Sequence, residues 1–313
     1  MARSQWRAVT EWANMQLGRV GIWTTALDHQ PTAEARRAAA ELEEMGFGAI
    51  WIGEAVRREA FSNATLLLTA TRHIVVATGI ANIYARDPTT MAAGQKTLAE
   101  AFPDRFLLGI GVSHGPLVSR RGHAYGKPLE TMRAYLDAMD VARFDAAAPP
   151  QEPPRVLAAL GPRMLELARD RSWGAHPYFV PVDHTTRARA ILGPDRLLAP
   201  EQAVVLEADP DRARKIARLH TSAYLKLPNY ANNLRRLGFD EDELSNGGSD
   251  RLVDAIVAWG TTDSVGRRVE EHLNAGANHV CIQVLTENPK ALPRAEWQQL
   301  AGSLLARATP PAR

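Results

Sequence analysis

The chain has 313 residues, of which 45% are hydrophobic and 23% charged, a composition that supports a substantial buried core. Its 37 basic and 35 acidic residues leave a net charge of +2, which gives no electrostatic footing for nucleic acid or an anionic membrane. The single cysteine, Cys281, excludes an internal disulfide, and no Cys/His spacing suggests a zinc site.

Met1–Leu17 carries charges and tryptophans but no apolar run of the kind a signal peptide needs. No uninterrupted apolar stretch reaches the length of a membrane helix, so a cytoplasmic location is the expectation. Strand-like segments follow at Arg19–Thr24, Ala49–Gly53, His73–Ile80, Arg105–Val112, Arg155–Leu160, Trp173–Val180, Leu197–Leu206 and His279–Leu285. Between them lie amphipathic stretches such as Thr32–Met45, Thr89–Ala101, Leu129–Ala142 and Asp209–Ala223. Thr32 is placed to cap the first of these, and Gly46 to stop it. Asp145–Pro154, with four prolines, reads as a loop. Residues 227–260 read as a largely helical insertion, broken at Gly247–Gly248, and Ala308–Arg313 as a mobile tail. Cys281 sits in an apolar run and reads as a small core residue.

Eight strands alternating with helices predict an α/β protein, a single (β/α)8 TIM barrel over residues 1–313 with the insertion between strands seven and eight. An open doubly wound sheet is the competing architecture, but no dinucleotide fingerprint opens the first helix. In a barrel, chemistry sits at the carboxyl ends of the strands. The apolar run Phe106–Val112 stops at Ser113 and His114, which would therefore face a pocket. Glu54 closes the strand Ala49–Ile52 and would point to the same mouth, or else serve as a salt-bridge partner. Leu160-Gly161-Pro162 ends a strand and opens a helix whose backbone N–H groups suit a phosphate. Arg120-Arg121-Gly122 reads either as an anion grip or as a solvated loop.

Six segments in this order resemble the luciferase-like monooxygenase superfamily, and within it the coenzyme F420-dependent oxidoreductases. They are Val20–Thr24, Glu41–Glu54 (ELEEMGFGAIWIGE), Val76–Pro88 (VATGIANIYARDP), Arg105–His114 (RFLLGIGVSH), Ala158–Arg171 (AALGPRMLELARDR) and Ala275–Val284 (AGANHVCIQV). The resemblance implies an enzyme that binds F420 in the barrel mouth and passes hydride to or from a small organic substrate. It implies a non-prolyl cis peptide at Gly79–Ile80, in a bulge behind the coenzyme ring, with Asn82 at the ring edge. Coenzyme contacts carried over are Gly79, Ile80, Asn82, Ser113, Ala159, Gly161, Arg163, Met164, Gly174 and His176; substrate contacts are Trp23, His123 and Tyr125. His114 and Glu54 become the catalytic candidates, with His114 standing where some relatives place a carboxylic acid. Many F420-dependent members have histidine after the acidic strand end, where this chain has Ala55. The resemblance further implies a homodimer. FMN is the alternative coenzyme, in a monooxygenase or in a binding barrel without turnover. A cofactor-free hydrolase or lyase barrel is a further alternative, although only isolated carboxylates stand at the strand ends.

Overall fold

The structure is a computed structural model and describes residues 15–305; the expected mobile tail and most of Met1–Leu17 lie outside the described residues. The strands are β1 (Val20–Trp23), β2 (Ala49–Ile52), β3 (Val75–Thr78), β4 (Ala81–Asn82), β5 (Phe106–Gly111), β6 (Arg155–Leu157), β7 (Gly174–Ala175), β8 (Leu197–Leu198), β9 (Glu201–Val205), β10 (Val257–Trp259) and β11 (Val280–Val284). Every pairing between them is parallel, in the order β10-β9-β11-β1-β2-β3-β5-β6-β7-β8, with β4 on β5. β8 and β9 are one extended segment: Ala199 donates its N–H to Ala175 O, and Glu201 to Pro177 O. That segment joins β7 to β11, and β11 pairs with β1, so the sheet closes into an α/β barrel of the TIM type. β10 comes from the insertion and adds a short strand to the second half of β9.

Side-chain alternation along each strand sorts the core into two clusters. Ala49, Trp51, Val75, Ala77, Leu107, Val156, Ala203 and Cys281 fill one. Ile22, Ile50, Ile52, Val76, Phe106, Leu108 and Ile110 belong to the other, with the helices Thr32–Glu44 and Ala60–Leu68. Because both faces are covered, the strands are apolar without interruption in the sequence. Thr32–Glu44 buries Ala35, Ala38, Ala39 and Leu42 at helical spacing. Gly46, at φ 93°, turns the chain so that Phe47 N–H reaches back to Leu42 O.

Four expectations shift. Thr32 does not cap its helix; it is the first helical residue, and Pro31 precedes it without a side-chain cap. Trp173–Val180 is a regular strand only at Gly174–Ala175; ladder hydrogen bonds continue to Pro177, and the backbone turns away at Phe179, a non-glycine residue at φ 59°. Leu197–Leu206 is split at Ala199–Pro200, since Pro200 has no N–H for the ladder. Arg120 ends a short helix, Gly115–Arg120, instead of lying in a loop.

The insertion contains helices Pro228–Arg236, Glu241–Leu244 and Asp250–Ile256 and ends in β10. Its break falls where expected, with Gly247 and Gly248 at φ 85° and 104°.

Candidate active site

The register between β3–β4 and β5 slips by one residue: Ala77 faces Leu107, but Ala81 faces Ile110. This is a β-bulge, and its extra backbone lies at a cis peptide between Gly79 and Ile80. Two close approaches hold it. Thr78 Oγ1 receives Gly109 N–H at 2.9 Å and donates to Gly109 O at 2.7 Å. Trp23 Nε1 donates to Gly79 O at 2.9 Å, and a Cβ on Gly79 would stand 2.7 Å from that nitrogen.

Above the bulge lies a cavity of about 740 Å³. The strand-end segments supply Ile80, Gly111, Ser113, His114, Ala158, Ala159 and Leu160 as its lining. Helix Pro162–Arg171 begins there with Gly161 as N-cap and no side-chain cap, so its N-terminal turn, with Arg163 and Met164, lines the cavity. Arg236 of the insertion reaches over the same turn, 3.6 Å from where a Gly161 Cβ would be. Trp23, Glu54, Gly79, Tyr125 and His176 complete the predicted residues that the cavity brings together.

Three predicted residues fall elsewhere. Asn82 is fully buried behind the bulge, where its Oδ1 accepts Tyr84 N–H at 2.9 Å. Gly174 is pressed against β8; a Cβ there would meet Leu197 O at 1.8 Å. His123 is exposed, beside the Tyr84 ring at 5.9 Å. Arg120 and Arg121 also stay outside this lining, and Arg121 donates instead to Ala55 O at 2.7 Å.

Glu54 lines the cavity, yet its carboxylate is fully engaged. It pairs with Arg86 through both oxygens, and accepts Asn82 N–H at 2.8 Å and Ala60 N–H at 3.2 Å. The side chains of Glu54 and Arg86 are only 3% and 6% exposed. Glu54 is therefore held as an ion-pair partner in the cavity wall, the second of the two roles its strand-end position suggested.

His176 is buried and stacked on Trp51, with ring centroids 4.3 Å apart. Burial pulls it down to about 4, so the ring is neutral at pH 7. Its Nδ1 lies 2.7 Å from Ala199 O and must donate, which leaves Nε2 as an unpartnered acceptor. His114 precedes helix Gly115–Arg120 and packs against Tyr230 at 5.3 Å. Burial also lowers His114, with an Asn229 hydrogen bond opposing. The neutral ring keeps Nδ1 without a partner.

Sequence reasoning missed Tyr178, Tyr224, Tyr230, Asn229, Gln283 and Arg236, all of which line the cavity. Gln283 left a signal, a lone polar residue in the apolar β11. The others come from segments whose position over the mouth is set by packing. Among the described residues, no group of His, Cys, Asp or Glu is arranged to hold a metal, and no helix is long and apolar enough to cross a membrane.

A 5,10-methylenetetrahydromethanopterin reductase of Archaeoglobus fulgidus is 27% identical over 284 residues, covering 76% of this chain and 85% of that protein. The structure of the coenzyme F420-dependent tetrahydromethanopterin reductase from Methanopyrus kandleri superposes with a TM-score of 0.73 at 17% identity, over 93% of this chain and 100% of that one. The oxygenating constituent of 3,6-diketocamphane monooxygenase from Pseudomonas putida, in complex with FMN, gives 0.68 at 14% identity, over 94% and 100%. The family model for luciferase-like monooxygenases matches residues 15–279, from β1 to the start of β11. With the closed barrel, the β3–β4 bulge and the mouth cavity, this shows that the chain belongs to the luciferase-like monooxygenase family.

Proposed function

We propose that the chain is an oxidoreductase that binds coenzyme F420 in the mouth cavity and transfers hydride to or from a small organic substrate. One observation carries this reading: a single cavity joins a flat, largely apolar wall to an uncapped helix N-terminus flanked by two arginines. Ile80, Gly111, Ala158 and Ala159 form the wall, which suits a ring system. Gly161, Arg163 and Arg236 suit a phosphate and an anionic tail. When bound, the deazaflavin supplies the hydride chemistry. The chain's own residues orient the ring against the bulge, hold the phosphate at Gly161 and exclude water with the insertion. His114 lines the same mouth, its ring packed on Tyr230.

FMN has the same phosphate end, and the FMN-bound neighbour of this fold supports it as the second reading. Titration of the protein with each coenzyme separately, read by fluorescence, decides between them. We expect about micromolar or tighter F420 binding and FMN at least about tenfold weaker. Arg163→Ala and Arg236→Ala should each weaken F420 by about tenfold, as loss of a charge-assisted contact does. Preference for FMN moves the chain to the monooxygenase reading, and binding of neither coenzyme removes both. A homodimer in the cytoplasm, acting on a small molecule, completes the proposal; sedimentation of the purified chain at twice its 34.3 kDa mass would support the dimer.

A further inference from the structure

Part of the cavity wall is a cluster of aromatic rings to which the coenzyme reading gives no substrate role. Trp23, Tyr178, Tyr224 and Tyr230 all line it. Tyr178 is the centre of this group, with ring centroids 4.9 Å from Trp23, 5.1 Å from Tyr224 and 6.1 Å from Tyr230. Phe179 backs it, stacked on Tyr224 at 5.2 Å, and its left-handed backbone turns Tyr178 and Phe179 to different sides. The buried carboxyl of Glu201 accepts Phe179 N–H at 3.1 Å and fixes that turn. The aromatic surface is therefore built and held, not incidental.

Its polar atoms form a chain. The Tyr178 hydroxyl lies 2.7 Å from Gln283 Oε1 and 2.9 Å from the Tyr224 hydroxyl. Tyr178 has one proton for two neighbours, so the chain has two consistent orders. In one, Tyr224 donates to Tyr178 and Tyr178 to the Gln283 carbonyl; Tyr224 then has a lone pair to accept with. In the other, the Gln283 amide is turned over and donates to Tyr178, Tyr178 donates to Tyr224, and Tyr224 donates outward. Burial pushes the Tyr178 and Tyr224 hydroxyls up, so neither loses its proton near neutral pH. Arg57, which lines the cavity and whose charge acts on Tyr224, opposes part of that rise. Tyr224, partly exposed while Tyr178 is 9% exposed, is the end of the chain open to a ligand. A site that can donate or accept at one point fits an oxygen that is a carbonyl in one redox state and a hydroxyl in the other.

We propose that Gln283, Tyr178 and Tyr224 form the substrate-oxygen site, and that the substrate is a flat, uncharged, aromatic or conjugated molecule bearing a ketone or the corresponding alcohol. This rests on the F420 reading for its chemistry but not for its test.

The test compares xanthone with xanthene, which has CH2 in place of the carbonyl, and with xanthene-9-carboxylate. Affinities for the full chain are measured by calorimetry, alone and with saturating oxidised F420, whose own binding is titrated first. Xanthone should bind about tenfold more tightly than xanthene, the value of one hydrogen bond. Tyr224→Phe should bring that ratio close to one while leaving xanthene affinity unchanged, whereas Tyr178→Phe, which leaves the Tyr224 hydroxyl in place, should keep the preference. Equal binding of xanthone and xanthene, a preference that survives Tyr224→Phe, or tighter binding of the carboxylate overturns the proposal. Failure of F420 to bind removes the coenzyme reading alone, because the xanthone preference is also read without it.

Discussion

The Glu54–Arg86 pair is the clearest case of a residue whose surroundings decide its role. Both side chains are almost fully withdrawn from water, and Arg86 also reaches Glu59 at 2.8 Å and the Phe61 ring at 5.0 Å. Breaking such a pair from one side strands a buried charge, at a cost of about 3–5 kcal/mol. Arg86→Met should lose stability of that order in urea unfolding, more than Glu54→Gln, which keeps one acceptor oxygen, for Ala60 or Asn82 but not both, and leaves Arg86 its pair with Glu59. A catalytic Glu54 would show the opposite ranking, with activity lost by Glu54→Gln in a protein of unchanged stability. The acidic strand end was legible in the sequence. Arg86, thirty-two positions away, could be matched to it only through the fold.

At the scale of elements, the site depends on the mismatch between β3–β4 and β5. Gly109 is where the two strands come closest: a Cβ there would stand 2.0 Å from Thr78 O. No rotamer relieves a clash with backbone, so Gly109→Ala must push the strands apart and open the bulge. The expected result is a protein that fails to melt cooperatively and loses coenzyme binding. Thr78→Val, which removes only the hydroxyl bridging Gly109 N–H and O, should cost about 1–3 kcal/mol and leave the fold intact. Circular dichroism melts of the two variants check both outcomes. The Gly-X-Gly pattern of β5 is visible in the sequence, but its close partner on β3, Thr78, is not.

For the molecule as a whole, the buried titratable groups set the pH range of stability. His176, His184, His272 and His279 are buried, and burial pulls them from 6.5 to about 4, 4, 3 and 4. Between pH 4 and 6.5 the unfolded chain binds protons that the folded one excludes, so stability rises with pH up to about 6.5. Glu201 acts with the opposite sign. Burial raises it from 4.5 to about 8, so the folded state holds a proton that the unfolded state releases, and stability falls as pH rises from 4.5 to 8. Asp28, raised to about 6, adds to that fall below pH 6. Four histidines outweigh two carboxyls below pH 6.5, and stability should peak near pH 7, with the remaining histidine gain and the Glu201 loss nearly cancelling between pH 6.5 and 8. Glu201→Gln should remove the opposing loss and leave stability rising by about 1.5 kcal/mol between pH 6.5 and 8, a result that urea unfolding at those two pH values would show.

The sequence by itself determined the barrel, the insertion and the strand ends that carry the site, because local periodicity and apolar runs record burial on two faces. It also marked the helix start at Gly161, where glycine and proline open a helix, while the bulge at Gly79–Ile80 was implied only by the family resemblance. What only the tertiary structure decided is which side chains meet: Asn82, Gly174 and His123 left the cavity, Glu54 found Arg86, and Tyr178, Tyr224 and Gln283 came together. Those encounters join positions up to 105 residues apart, and no local pattern carries the packing that brings such distant segments into one wall.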